Sequence, residues 1–310
     1  MSDRSFILAK AETTYGTDSV PAAVNVLFAE NVRHKLLGTR ERGAPAKPGV
    51  GQVQGQIVGE HVEVSFEIPL AASGVAGTAP KWGPLPKSCG WGETIVASTS
   101  VTYALLADPQ TADSQTIIWN DGRRLHKVTG WRGRMGLKLS AQKRPMLTFT
   151  GKGLYVEVVT RALPAHADAT WTGWVDTRPV AQGRTTFALN SVNIALRELS
   201  LDPSDNVLFN DLPHQENVTL RGARTFSGSV KGTTPLASAL NLETLWTGGA
   251  IIPAAVVHGT TAGQIVTLNL KAQLGQPEYG DENGEDVFTQ PVDLQPSVLN
   301  LDDEIALVLT

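Results

Sequence analysis

The sequence predicts a mainly β protein made of two tandem units of packed antiparallel sheets, each flanked by a short helix. Three observations carry that reading. Apolar and polar residues alternate with a period of two over several stretches, glycine- and proline-rich turns separate those stretches, and the order of segments repeats once along the chain.

The clearest strand is HVEVSFEIPL (61–70), with Val62, Val64, Phe66 and Ile68 on one face and Glu63, Ser65 and Glu67 on the other. The same period recurs in TIIWNDGRRLHKV, MLTFTGKGLYVEVV, VNIALRELSL and IVTLNLKAQL. Two segments read as helical. PLASALNLETLWTGG sets Leu236, Leu240 and Leu245 near one stripe, with Thr233 or Thr234 as N-cap, Pro235 in the first turn and Gly248 as the stop. APKWGPLPKSCGWG is a weaker version, because Pro84 and Pro86 forbid a regular interior, and Gly90 closes it.

Placed in order, these segments form a repeat. The first unit reads strand (61–70), short helix (79–89), strand VTYALL, then a long hairpin over 125–155. The second reads strand (225–232), short helix (235–246), strand IPAAVVHG, then a long hairpin over 264–295. Even the lead-in strands match, NVLFAENVRHKLL against SVNIALRELSL. The division that follows is an N-terminal arm (1–23), a first unit (24–155) with a long loop over 38–60, a linker (156–186) and a second unit (187–310). The glycine-rich loop is too long for an ordinary hairpin, and loops of that length usually order on a partner or form a mobile tip. The linker carries Trp171 and Trp174, which fit either tacking onto the surface or a platform for stacking sugars.

Length and composition agree with this division. The 310 residues suffice for two domains, and 41% apolar with 18% charged residues describes a folded chain. No apolar run is long enough to span a membrane as a helix, the N-terminus lacks the pattern of a secretory signal, and the single Cys89 has no internal disulfide partner. A cytoplasmic origin is expected.

Chemistry finds little support. Cys89 sits beside Pro86 and Gly90 as a small apolar residue would, no G-x-S-x-G elbow occurs, and the six histidines show neither i,i+4 pairs nor H-E-x-x-H. GQVQGQIVG lacks the Lys-Ser/Thr of a phosphate loop, and GDENGED (280–286) fails the calcium-loop spacing and reads as a hairpin tip turning on Asn283-Gly284. No catalytic, cofactor or metal residue is therefore assigned.

Charge is distributed unevenly. The net charge is −4, but residues 1–160 hold 18 Lys+Arg against 13 Asp+Glu, whereas 161–310 hold 8 against 17, so +5 and −9 sum to −4. TGWRGRMGLKLSAQKR (129–144) carries five positive side chains and no negative one, while the matching hairpin of the second unit is acidic. A specific DNA reader is usually basic overall, which this chain is not.

Three stretches, ILAKAETTYGTDSVPAAVNVL (7–27), GTAPKWGPLPKSCGWGET (77–94) and VVHGTTAGQIVTLNLKAQLGQPEYGDENG (256–284), together resemble the tail tube, or major tail, proteins of long-tailed bacteriophages. The resemblance implies two tail-tube-like units of packed antiparallel sheets and a non-enzymatic structural subunit with no cofactor. It implies self-assembly into stacked rings in a virion tail built in the bacterial host cytoplasm, with tape-measure, tail-terminator and distal tail proteins as partners. DNA would pass without specific binding, since a wholly basic lumen would grip phosphates, and no membrane insertion is implied. Six copies of such a fold usually close a ring, so three chains carrying it twice would suffice. In such a ring basic and acidic units alternate, and Arg132, Arg134, Lys138, Lys143 and Arg144 are expected near Glu278, Asp281, Glu282, Glu285 and Asp286, within the ring or between rings. The rival reading is a two-domain β-sandwich binding module for carbohydrate or another surface ligand, with Trp171 and Trp174 as its platform.

Overall fold

The structure, a computed structural model, describes residues 5–44, 46, 49–204, 206–222, 224–297, 300 and 302–310. It is mainly β, as its alternating sequence predicts. In chain order the first half contains β1 (Ile7–Ala11), β2 (Glu30–Glu41), β3 (Gln56–Pro69), α1 (Pro84–Lys87), β4 (Trp91–Val96), β5 (Ser100–Leu105), β6 (Gln115–Asp121), β7 (Arg124–Ser140), β8 (Met146–Tyr155) and β9 (Val159–Thr160). The second half contains β10 (Thr185–Leu189), β11 (Val192–Asn193), β12 (Leu196–Pro203), β13 (Val207–Leu212), β14 (Gln215–Leu220), β15 (Phe226–Thr233), α2 (Leu242–Gly248), β16 (Ile251–His258), β17 (Val266–Leu274), β18 (Glu278–Glu282), β19 (Glu285–Leu294) and β20 (Ile305–Leu309).

Strand pairing follows the same plan in both halves. In the first, the antiparallel order β2-β3-β8-β7 forms one layer, and β1-β6 joins the front part of β7. In the second, the order β12-β15-β19-β18 forms the layer, and β10-β16 joins β17. The path that is one long strand in β7 is cut into β17 and β18 around Gly275, Gln276 and Pro277, where proline has no N–H to give a ladder. β7 manages its own bend with a register shift between Thr129 and Arg132. Gly130 sits in that shift at φ 61°, and a Cβ there would meet the Tyr15 ring at 2.8 Å.

Three segments differ from expectation. IPAAVVHG, in β16, occupies the place of β6 rather than of VTYALL, because β6 and β16 each lie between an early strand and the long bent one; the β4–β5 hairpin is an addition to the first half. The loop over 38–60 is strand at both ends: β2 and β3 stay paired as far as Glu41↔Gln56, leaving residues 42–55 as the connection, of which 45, 47 and 48 lie outside the described residues. Both helices are shorter than predicted. Proline at 84 and 86 reduces the first to Pro84–Lys87, with Leu85, Ser88 and Cys89 N–H groups bonding three residues back. In the second, Asn241 caps the Thr244 N–H at 2.9 Å, Gly249 ends the helix at φ 59°, and Leu236 is exposed in the turn before it.

The halves are joined in both layers. The end of β7 pairs antiparallel with β12, setting Leu137 opposite Leu201 and Leu139 opposite Leu199, all four buried. β20 lies between β17 and β5. One continuous core results, containing Trp82, Trp91, Trp131, Phe66 and Phe149 from the first half and Phe226, Phe288 and Leu268 from the second. Trp91 meets Phe226 edge-on across the boundary, with ring centroids 6.1 Å apart.

Candidate assembly surface

Two cations of the basic strand, Arg132 and Arg134, turn toward backbone carbonyls, among them carbonyls of the other unit. The Arg132 guanidinium donates to the Val218 carbonyl at 3.2 Å and to the Ala112 carbonyl at 2.7 Å, and lies 5.0 Å from the Tyr15 ring centre. Tyr15 in turn accepts from the Val218 N–H through its hydroxyl. Arg134 donates to the Pro203 carbonyl at 3.2 Å, and Lys152 on β8 to the Val207 carbonyl at 2.8 Å. These contacts hold the β13–β14 hairpin of the second half against the polar face of β7 and β8, and Phe209 on that hairpin stacks on His61 at 4.2 Å. Burial lowers the Arg132 pKa, an effect opposed by Tyr15, Asp113 and Glu12; burial likewise raises the Tyr15 phenol.

The rest of the basic set lies closer to the surface. Arg144 pairs with Glu30 at 2.5 Å in its own half. Lys138 and Lys143 line a groove with Arg197, Lys231, Glu282 and Asn283, so the end of β7 and the tip of the β18–β19 hairpin share one surface. In that groove Glu282 accepts from Lys231 at 2.7 Å and faces Arg197 at 3.5 Å, while Glu285 pairs with Arg197 at 2.7 Å. The hydrogen bond from Lys231 holds the Glu282 carboxyl below its usual range. Glu278, Asp281 and Asp286 take part in no ion pair among the described residues. The turn itself is the predicted one, with Asn283 at φ 58° and Gly284 at φ 79° between the paired Glu282 and Glu285.

Sequence reasoning overlooked the two ends of the long layer. Through the β7–β12 junction the layer runs β2-β3-β8-β7-β12-β15-β19-β18, and among the described residues β2 pairs only with β3 and β18 only with β19. Each end therefore presents unpaired backbone groups. Arg33, Lys35 and Arg40 on β2 have no ion pair among the described residues, and Leu36 is 56% exposed. On β18, Tyr279 is 52% exposed beside the acids. Missing alternation in ENVRHKLLGTRE was the available signal, since a strand buried on neither face has no period to show.

The linker packs as well. Trp174 donates its indole N–H to the Val26 carbonyl at 3.2 Å, and Phe28 meets Trp171 edge-on at 5.7 Å and Trp174 at 6.2 Å. Phe28, Trp171 and Trp174 line a cleft of about 230 Å3 with Arg144 and Asp176. Cys89 is buried, and burial pushes its thiol pKa well up. Among the described residues no group of three or more His, Cys, Asp or Glu side chains is placed to hold a metal ion, and no helix is long and apolar enough to cross a membrane.

No protein-family model matches the chain, and no curated protein is similar to it in sequence.

Proposed function

We propose that the chain is a structural, non-enzymatic subunit of a bacteriophage tail tube, which assembles into stacked rings in the virion tail and forms the conduit for genome ejection. The observation that carries this reading is the β7–β12 junction: two sheets of the same strand order meet edge to edge within one chain. A chain that joins two such sheets already contains a contact between neighbours of a ring, and three chains would supply six sheets. The three stretches that resemble tail tube proteins point the same way, and two of them run through α1 and the β17–β18 path. Under this reading tape-measure, tail-terminator and distal tail proteins are partners and DNA passes without specific contacts. The subunit is made and assembled in the host cytoplasm.

Electron microscopy of the purified protein is the test. Stacked rings of three chains are expected. Rings of six chains would refute the trimer. Monomers alone, combined with sugar-dependent quenching of Trp171 and Trp174 fluorescence, would replace the reading with the carbohydrate-binding module, for which the aromatic cleft is the supporting observation.

A further inference from the structure

We infer that a pocket between the end of β3, the segment leading into β10 and the β16–β17 turn binds a phosphate group, held by Arg178, Arg184 and the Thr177 hydroxyl. The site belongs to the single chain and does not rest on the tail-tube reading.

The cavity measures about 120 Å3, against roughly 10–15 Å3 for one water. Leu70 and Ala72 after β3 give it an apolar side, and the linker around Thr177 faces the turn that follows His258. Its backbone is fixed. Gly259 donates its N–H to the Arg184 carbonyl at 2.8 Å and sits at φ 100°, where the turn folds back so tightly that a Cβ would run into the Gln264 carbonyl. Buried His258 ties the two arginine-bearing segments together: its Nδ1 lies 2.8 Å from the Thr185 hydroxyl, and its ring hydrogen-bonds to the Arg178 backbone. Burial lowers the His258 pKa, the bond to the Arg178 backbone opposes this and the Arg184 charge adds to it, so the ring is neutral at pH 7 and serves as a positioning residue.

Two unmet demands meet in this cavity. Arg178 and Arg184 both line it, and neither guanidinium has an ion pair among the described residues. Thr177 is only 7% exposed, yet its Oγ1 has no hydrogen-bond partner among the described residues, which protein interiors rarely leave standing. Asp176 is the single acid in the lining and is itself exposed, so positive charge prevails. A tetrahedral oxyanion answers both demands at once. Its charge meets two guanidinium forks, and a remaining oxygen accepts from the Thr177 hydroxyl. A cation would be repelled by the same arginines, and a neutral ligand would leave them unanswered.

Thermal unfolding of the full chain in sodium phosphate, against sodium chloride at matched ionic strength and pH, tests the site. Phosphate is expected to raise the midpoint as its concentration rises, and Arg178→Gln and Arg184→Gln should each weaken its apparent affinity about tenfold. Both side chains are exposed, so these variants keep the fold. Thr177→Val is the discriminating variant. Without phosphate it should be as stable as wild type, because no hydrogen bond is lost, yet it should bind phosphate about fivefold more weakly. An equal rise in all four proteins makes phosphate an excluded salt only and overturns the site. Methyl phosphate separates the sources of the group: a rise like that in inorganic phosphate assigns the pocket to phosphomonoesters, and none restricts it to the free ion. Stabilisation by a duplex oligonucleotide at equal phosphate concentration, lost in the same variants, would overturn the pocket in favour of contacts to a DNA backbone.

Discussion

β7 and β18 hold the same place in two sheets of the same order, yet one is sealed and the other open. β7 gives its outer edge to β12, buries Leu137 and Leu139 there, and uses Arg132 and Arg134 to hold carbonyls around the β13–β14 hairpin. β18 is five residues long, exposes Tyr279 and carries acids toward solvent. Charge on a strand thus has to be read together with what the strand's edge has already met. Arg132 and Arg134 on the sealed strand are engaged by backbone carbonyls, whereas Glu278 and Asp281 on the open one take part in no ion pair among the described residues.

Truncating one side chain on each of the two strands should have very unequal effects. Leu139→Ala should cost about 2–5 kcal/mol of folding stability in urea titration, since it empties a buried site. Tyr279→Ala should cost no more than about 0.5 kcal/mol in the single chain, because the side chain is more than half exposed. Equal losses would mean that the two edges are not the contrast described.

Next in size is the arginine clamp. Arg132→Met should cost about 1–3 kcal/mol, because the Val218 and Ala112 carbonyls lose a donor in a half-buried setting. Amide exchange should quicken across β13 and β14 and leave β15 unaffected; uniform exchange would show that the hairpin is held by packing alone. On the open side, Glu285→Gln removes one of the exposed ion pairs of Arg197 and should cost less than about 1 kcal/mol.

The smallest effect concerns the junction at β20. Asp303 is held at about 2 by hydrogen bonds, first from Lys271 and then from the Ser297 hydroxyl and N–H. Its folded pKa lies below the ordinary carboxylate value, so its contribution is complete above about pH 4 and disappears as pH falls toward 2. Asp303→Asn should therefore narrow its stability gap to wild type over that interval. A gap independent of pH would assign the contribution elsewhere.

Much of the layer plan was legible. Period-two alternation located β3, β7, β8, β12 and β17, and the repeated order of elements anticipated that β2 and β12 would occupy similar slots. Turn chemistry placed Asn283-Gly284 correctly because that pair adopts positive φ readily. The helices came out too long because a leucine stripe was read where Leu236 is exposed and the backbone closes separate turns. The pairing of unit-1 cations with unit-2 acids was read from the unequal charge of the two halves and from the ring that the resemblance implies, so it concerns contacts between chains as well as within one. Charge pattern shows which residues are cationic, but whether a guanidinium meets a carboxylate or a carbonyl depends on contacts such as Arg132 to Val218, 86 residues away.

β20 gives the molecule an order of events. β5 ends at Leu105, and the strand that covers its edge begins at Ile305, 200 residues later by subtraction. Until that strand arrives, the edge of β5 is a sticky strand on a growing chain, and pairing so distant in sequence forms slowly. The first half can thus shape its β2-β3-β8-β7 layer early while its other layer stays unfinished through the synthesis of the second half. The fold is therefore completed by its late strand rather than in two fragments that finish one after the other.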